Sequence, residues 1–420
     1  MKACLAKLDL DVSTESHSVP SLSRMHLSSS ETGKISELVH GWQEAGLVTK
    51  DEAGREVIKG ENDHFVLESE NGSFDMSNVD ASLPDKPTRE DGQNDEGIID
   101  YNALPKRLFL HEADLPSSRE TPHFNHHAFY SNLKTYHSRQ RESEHAFGHN
   151  LIYGEVVTST STLLEKNPTL LLHLPIGTTA TATTQVAGRG RGTNVWVSPA
   201  GSLMFSTVMK HSLALSNTAP VIFVQYLAAL AIVAGIHGYD KRYEKLPVKL
   251  KWPNDIYALD PTAPERDKKY VKIGGILVNS SYAGGDYTLV TGIGLNVNNS
   301  LPTTSLSQLA GKLKLQPLTL EKLLASILAQ FEALYTRFCR TGFDKQFEET
   351  YYNSWLHSEQ IVTLETEGGA RARVKGITTD WGLLVAEELG WEDRPTGKKW
   401  QLQSDSNSFD FFRGLVKRKV

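Results

Sequence analysis

The apolar positions of this chain change their spacing several times, and each change marks an element. From residue 319 to 340, Leu320, Leu323, Leu324, Ile327, Leu328, Phe331, Leu334 and Phe338 fall on one stripe of period 3.6. That stripe predicts a long amphipathic helix with Thr319 as its cap. Ile35, Leu38, Val39 and Trp42 repeat the spacing over a shorter stretch. Residues 221–234 are apolar except at Gln225. They predict a buried helix over 219–237, with Thr218 as N-cap and Pro220 in the first turn. The run is too short to span a bilayer, which takes about 20 residues. A further helix is expected over 160–167. Runs rich in β-formers and bounded by turn residues predict strands at 151–157, 170–174, 181–186, 203–209, 248–252, 271–279 and 287–295. Strands with few helices and no strict βαβ alternation indicate an α+β fold built on a mixed sheet. Three last short strands, at 360–364, 370–377 and 383–387, are separated by Gly-containing turns and predict a small β-barrel domain.

Composition adds boundaries to this pattern. With 420 residues, 39% hydrophobic and 22% charged, the chain has length for two or three soluble domains. Residues 51–100 hold 15 acidic and four basic side chains, a net −11 in a chain of net −6, so the rest carries +5. A mildly basic body suits nucleotide anions and an acidic acceptor, and is too weak for a nucleic-acid partner. The expected order is an N-terminal segment over 1–67, a disordered acidic linker over 68–97, a connecting segment over 98–149, a catalytic domain over 150–355 and the β-barrel over 356–420. Residues 1–97 are expected to be separable from the chemistry. Two distant cysteines, Cys4 and Cys339, argue against a disulfide framework. The N-terminus reads as neither signal nor transit peptide, and the expected compartment is the cytosol. His123/His127 and His145/His149 have the i, i+4 spacing of helical metal ligands, but neither pair reads H-E-x-x-H and no metal ligands are assigned.

The most specific chemistry lies in Gly188-Arg189-Gly190-Arg191-Gly192-Thr193-Asn194-Val195-Trp196. Alternating glycines let backbone approach a ligand, and two permanent cations suit carboxylate or phosphate oxygens. The stretch is neither a Walker loop nor a dinucleotide fingerprint. The combination describes a mobile anion clamp whose arginines should repel each other until an anion binds, with a solvated flexible loop as the ordinary alternative. It is joined, however, by Thr158-Ser159-Thr160-Ser161 and Gln185 before it. Lys251-Trp252-Pro253-Asn254-Asp255, Lys272-Ile273-Gly274-Gly275 and Gly292-Ile293-Gly294-Leu295-Asn296 follow it.

This ordered set, spread over roughly residues 150 to 415, resembles the biotin–protein ligases, with wording closest to the fungal holocarboxylase synthetases. The resemblance implies a catalytic domain related to class II aminoacyl-tRNA synthetases, an SH3-like C-terminal domain, and residues 1–67 as the remnant of an amidotransferase-like region. It implies that ATP, with Mg²⁺, converts biotin to biotinyl-5′-AMP, and that biotin then passes to one lysine of an apo-carboxylase such as acetyl-CoA carboxylase or pyruvate carboxylase. No membrane or nucleic-acid partner is implied. The matching positions assign biotin to Ser159, Thr160, Ser161, Gln185, Gly188, Arg189, Gly190, Arg191, Lys272 and Gly275. They assign ATP to Arg189, Arg191, Trp196, Asn254 and Asn296. Ser161 stands where many relatives have asparagine, which leaves its contact in doubt.

The chemistry accounts for these residue types. Holding a carboxylate against an α-phosphate brings two anions together, so fixed positive charge is required where they meet. Lys272 and Arg191 supply it, and Asp255 is the candidate for orienting or deprotonating the acceptor amine, whose ordinary pKa is near 10.4. Each also has an ordinary reading: an edge lysine, a turn-capping aspartate, a helix-capping Ser-Thr pair, a core tryptophan. A lipoate–protein ligase and a non-catalytic biotin-binding regulator are the rival functions.

Overall fold

The computed structural model describes residues 21–69, 100–101, 103–140, 144–192, 194–264, 269–283, 285–300, 304–404, 407–410 and 413–418. The acidic stretch expected as a linker lies outside them beyond Ser69, as does Cys4.

Twelve strands form one mixed sheet. In chain order they are β1 (Met25–Ser29), β2 (Val48–Lys50), β3 (Glu56–Lys59), β4 (His64–Ser69), β5 (Lys106–Leu110), β6 (Asn150–Val157), β7 (Thr179–Gln185), β8 (Ser202–Ser212), β9 (Val248–Lys251), β10 (Asp255–Leu259), β11 (Tyr270–Ala283) and β12 (Asp286–Asn296). Their spatial order is β2-β3-β4-β5-β1-β6-β7-β8-β12-β11-β10-β9. Residues 25–110 thus add five strands to the same sheet as the expected catalytic domain. Strand β1 runs parallel to β5 and antiparallel to β6, with Leu27 opposite both Leu110 and Ile152. All five residues of β1 are buried, so a solvent-facing alternation that could have announced this strand is missing.

Helices cover both faces. They are α1 (Lys34–Glu44), α2 (His126–His137), α3 (Thr160–Glu165), α4 (Pro168–Leu172), α5 (Val224–His237), α6 (Leu306–Lys312), α7 (Leu320–Thr341) and α8 (Lys345–Ser354). One core gathers α2, α5 and α7 against the sheet, with Phe129, Leu227, Ile232, Leu324, Ile327 and Phe331 almost fully buried. On the opposite face, α1, α3 and α4 pack Trp42, Leu164 and Leu171 against β1, β7 and β8. Every side chain of α5 from Tyr226 to Ile232 is buried, which is why its sequence shows no polar face.

Of the residues expected as a strand at 170–174, the first three instead end the helix α4 and the last two turn away from it. Pro168 occupies its first turn, and β6 pairs directly with β7, leaving no ladder for an intervening strand. Thr218 does not cap α5 either. Its hydroxyl bonds back to the Leu215 carbonyl, and Pro220 leads into a single 3₁₀ turn, Val221–Phe223, before the helix begins. Thr319 stands at the cap position of α7 but makes no side-chain cap bond.

A separate six-stranded sheet ends the chain: β13 (Ile361–Leu364), β14 (Ala370–Ile377), β15 (Leu384–Leu389), β16 (Pro395–Leu402), β17 (Asn407–Asp410) and β18 (Leu415–Arg418). Its order is β16-β15-β14-β13-β18-β17. Three of these strands match the sequence expectation. No helix among the described residues is long and apolar enough to cross a membrane.

Because β1 is a central strand, Leu27→Ala should cost about 2–5 kcal/mol in chemical denaturation, the usual range for a buried leucine. A chain beginning at residue 98 lacks β1 to β4, and its cooperative thermal transition should be lost.

Candidate active site

The strip of sheet where β11 and β12 pair is short of side chains. Gly275 pairs with Gly294, and Leu277 with Gly292. Period-2 alternation puts these four on one face of the sheet. A Cβ on Gly292 would collide with the Ser161 hydroxyl, and one on Gly294 would lie 2.6 Å from the Trp196 indole nitrogen. The missing side chains leave a cavity of about 490 Å³ over the strip.

Helix α3 closes one side. Ser159 is its N-cap, accepting from the Thr162 amide, and Thr160 and Ser161 each lie 2.9 Å from the Ser206 hydroxyl of β8. Gln185, the last residue of β7, accepts from the Thr160 amide at 2.8 Å and donates to Ser198 at 3.0 Å. The far end of the cavity is therefore a fixed set of hydroxyls on a helix start.

The arginine-glycine stretch folds as a tight hairpin. The Trp196 amide donates to the Gly188 carbonyl, Gly190 to Asn194, and Arg189 forms a bridge with Val195. Gly192 has φ +62°, which the turn requires. The two arginines were expected to repel each other without an anion. Instead each has a partner within the protein. Arg189 pairs with Glu165, at the end of α3, whose carboxyl is raised above its usual range by burial. Arg191 donates to Asn254 Oδ1 at 3.3 Å and to Ser404 Oγ at 3.2 Å.

Opposite the hairpin lies Lys251-Trp252-Pro253-Asn254-Asp255. Asn254 is tied to β11, donating to the Ile276 carbonyl at 2.7 Å. Asp255 sits between two cations, with Lys272 Nζ at 2.8 Å and Lys251 Nζ at 3.6 Å. Lys272 also lies 5.8 Å over the Trp196 ring. The Trp196 indole N–H is buried and has no hydrogen-bond partner.

All the sequence-chosen residues line this cavity except two. Gly188 is buried behind the hairpin, where a Cβ would strike the Trp196 carbonyl, and Asn296 is buried at the end of β12, outside the lining. Sequence reasoning left unassigned Lys251, Met204 and Leu277, and it missed Ser404 and Phe409, which come from the C-terminal sheet. Lys251 was within a quoted motif, so a signal existed. Ser404 and Phe409 carry none, because only folding brings them near.

The C-terminal sheet is locked to the motif from behind. The buried Trp252 indole donates to the Gly382 carbonyl and to Tyr226, both at 3.0 Å. The Trp252 amide donates to His357 Nε2 at 3.0 Å, which requires a neutral imidazole with that nitrogen unprotonated. Burial pushes the His357 pKa down to about 3.

The histidine pairs suggested by spacing do not converge. His123 pairs with Glu155, while His127 is exposed on α2. His145 and His149 each stack on His137. Among the described residues, the group that brings three ligand atoms within 4.8 Å is His26, His111 and Glu120, and its two imidazoles already bond each other at 2.9 Å.

Taken together, a glycine-floored cavity with hydroxyls at one end and cations at the other is chemically suited to holding an organic acid against a phosphate. The family model described as the biotin/lipoate A/B protein ligase family matches residues 153–298. The biotin–protein ligase of Schizosaccharomyces pombe is 42% identical over 283 residues, covering 65% of this chain and 44% of that protein. Biotin–protein ligase 1, chloroplastic, of Arabidopsis thaliana is 34% identical over 285 residues, covering 66% of this chain and 71% of that protein. Among solved structures, the Aquifex aeolicus biotin protein ligase in complex with biotin and ATP is similar at 23% identity and TM-score 0.44, covering 64% of this chain and 99% of that one. This chain belongs to the biotin–protein ligase family. It spans less than half the length of its S. pombe relative.

His357 gives the site a pH dependence of stability. Its folded pKa lies below the ordinary 6.5, so the unfolded chain binds a proton first. The contribution is complete above pH 6.5 and is lost as pH falls toward 3, by at most about 1.4 kcal/mol per pH unit. His357→Gln, which keeps an acceptor but does not titrate, should melt with a shallower fall between pH 6.5 and 4.5.

Proposed function

We propose that this protein activates biotin as biotinyl-5′-AMP at the glycine-floored cavity and transfers it to a lysine of apo-carboxylases such as acetyl-CoA carboxylase and pyruvate carboxylase. The observation that carries this reading is the convergence of Lys272, Lys251 and Arg191 on the cavity at the end away from the Ser159–Ser161 hydroxyls. Biotin has a polar ureido ring at one end and a carboxylate at the other. The hydroxyls suit the ring, and the cations suit the carboxylate and the phosphate it must meet. Lipoate carries an apolar dithiolane instead, to which three hydroxyls offer nothing.

In the first step a carboxylate oxygen of biotin attacks the α-phosphorus of ATP and pyrophosphate leaves. Lys272 stands as the fixed cation between the two anions, and Arg191 neutralises the phosphates. Trp196 offers a flat face to the nucleotide. Asp255 is the carboxylate of the lining, but its oxygens face Lys272 and Lys251 and the Asn254 amide oxygen accepts from Arg191, so these groups as arranged do not fit Mg²⁺ and no step is assigned to the metal. In the second step the acceptor amine attacks the acyl carbon and AMP leaves. An ammonium cannot attack. Asp255 already holds one ammonium, Lys272, at 2.8 Å, so an acceptor lysine exchanging into that place would be oriented and could give up its proton there.

Support for the reading also comes from family membership. A cytosolic location accords with the two distant cysteines.

Incubation with biotin, MgATP and a carrier domain should label the carrier for avidin. Labelling with lipoate alone, or none with either acid, would overturn the assignment. Lys272→Ala should lower biotin-dependent pyrophosphate exchange about 10²–10³-fold, the usual loss for one preorganised electrostatic group. Lys272→Arg should rescue poorly, since a planar fork does not replace a compact ammonium. Near-normal exchange in the folded alanine variant would make Lys272 structural.

A further inference from the structure

The sequence offers residues 1–67 as a remnant apart from the chemistry, yet one of its loops touches the back of the biotin-facing helix. Between β3 and β4 the chain turns at Gly60–Asp63. There the Asn62 and Asp63 amides donate to Asn167 Oδ1 at 3.1 and 2.9 Å. Asn167 Nδ2 donates in return to Asp63 Oδ2 at 2.8 Å and to the Leu163 carbonyl of α3 at 3.1 Å. The other Asp63 oxygen pairs with Lys106 Nζ at 2.9 Å, with both side chains buried. Asn167 itself has no exposed surface. Gly60 faces it so closely that a Cβ there would overlap the amide oxygen. Buried amides and charges with all these partners hold one geometry firmly, because any loosening leaves a polar group unpaired in a dry interior.

We propose that Asn167 is a positioning residue through which the Gly60–Asp63 loop sets the biotin end of the cavity. The connection runs along α3. This helix has six residues, so it is about 9 Å long and moves as one piece. Asn167 grips its C-terminal end through Leu163. The N-terminal end presents Ser159, Thr160 and Ser161. Its last residue, Glu165, holds Arg189 of the hairpin. A tilt of α3 would therefore displace the hydroxyls and slacken that arginine together. The nucleotide end is held elsewhere: Asn254 by β11, Arg191 by Asn254 and Ser404, and Lys272 by Asp255. Loss of the Asn167 network should thus separate the two ligands.

This inference rests on the reading of the cavity as a biotin site, and the wild-type protein distinguishes the two. Biotin and ATP affinities would be measured by calorimetry on the full chain, with thermal melting alongside. No biotin binding by the wild type would sink the site reading itself. Given wild-type binding, Asn167→Ala should weaken biotin by about tenfold or more, the loss expected from one buried hydrogen-bonded group, while ATP stays within about twofold. Gly60→Ala leaves the Asp63–Lys106 pair intact and serves if Asn167→Ala fails to fold. By pushing the Asn167 amide it should weaken biotin selectively in the same sense. Unchanged biotin affinity in a folded variant, or equal weakening of both ligands, would overturn the proposal.

Discussion

The site depends on one backbone constraint: where β11 and β12 pair beneath α3, three of the four facing positions carry no side chain. Gly275, Gly292 and Gly294 remove what would otherwise fill the space. Glycine weakens a strand, because it forgoes packing and loses more entropy on ordering. That weakness is tolerated because β12 is held along its length by β8, from Ser202 to Ser212. The other face of the same strands supplies Ile276, Ile293 and Leu295 to the core. One face is given to the ligand and the other to stability.

Charge follows from that cavity. With Leu277 the one side chain among the four floor positions, polar groups must reach in from the rim, and they are anchored to different elements: α3, the hairpin, the turn before β10, β11 and the C-terminal sheet. Asp255 is the hub of the cationic end, with an ammonium on either side. Neither lysine could stand so near the other without it, since two unit charges in a partly buried site repel by several kcal/mol.

How much of this was legible in the sequence varied with the range of the interaction. The stripe from Leu320 to Phe338 announced α7 to within a residue or two at each end. Most strands from 150 to 297 were also readable, but β10 was not expected, and β8 and β11 extend further than their apolar runs because β12 carries the ladder on between them. Short buried elements were not. β1 lacks alternation, β2 and β3 are three and four residues long, and Leu170–Leu171 look the same in a strand as in a one-turn helix. Site residues were legible where they sit in motifs contiguous in the chain. Ser404, Phe409 and Asn167 were not, because each acts through a contact across a long sequence separation, and nothing in its local spelling differs from an ordinary polar or core residue.

The order of the twelve strands also bears on how molecules of this protein behave toward each other. A sheet so wide still has only two open rims, and an open rim is an invitation to pair with a neighbouring copy. At one end, β9 is capped within the molecule: Leu250 bridges to Trp355, and the Leu356 amide donates to its carbonyl. At the other end, β2 is three residues long and finishes in the exposed Lys50. One rim is sheathed and the other is too short and too charged to extend. The breadth that builds the cavity is thereby kept from becoming a template for aggregation.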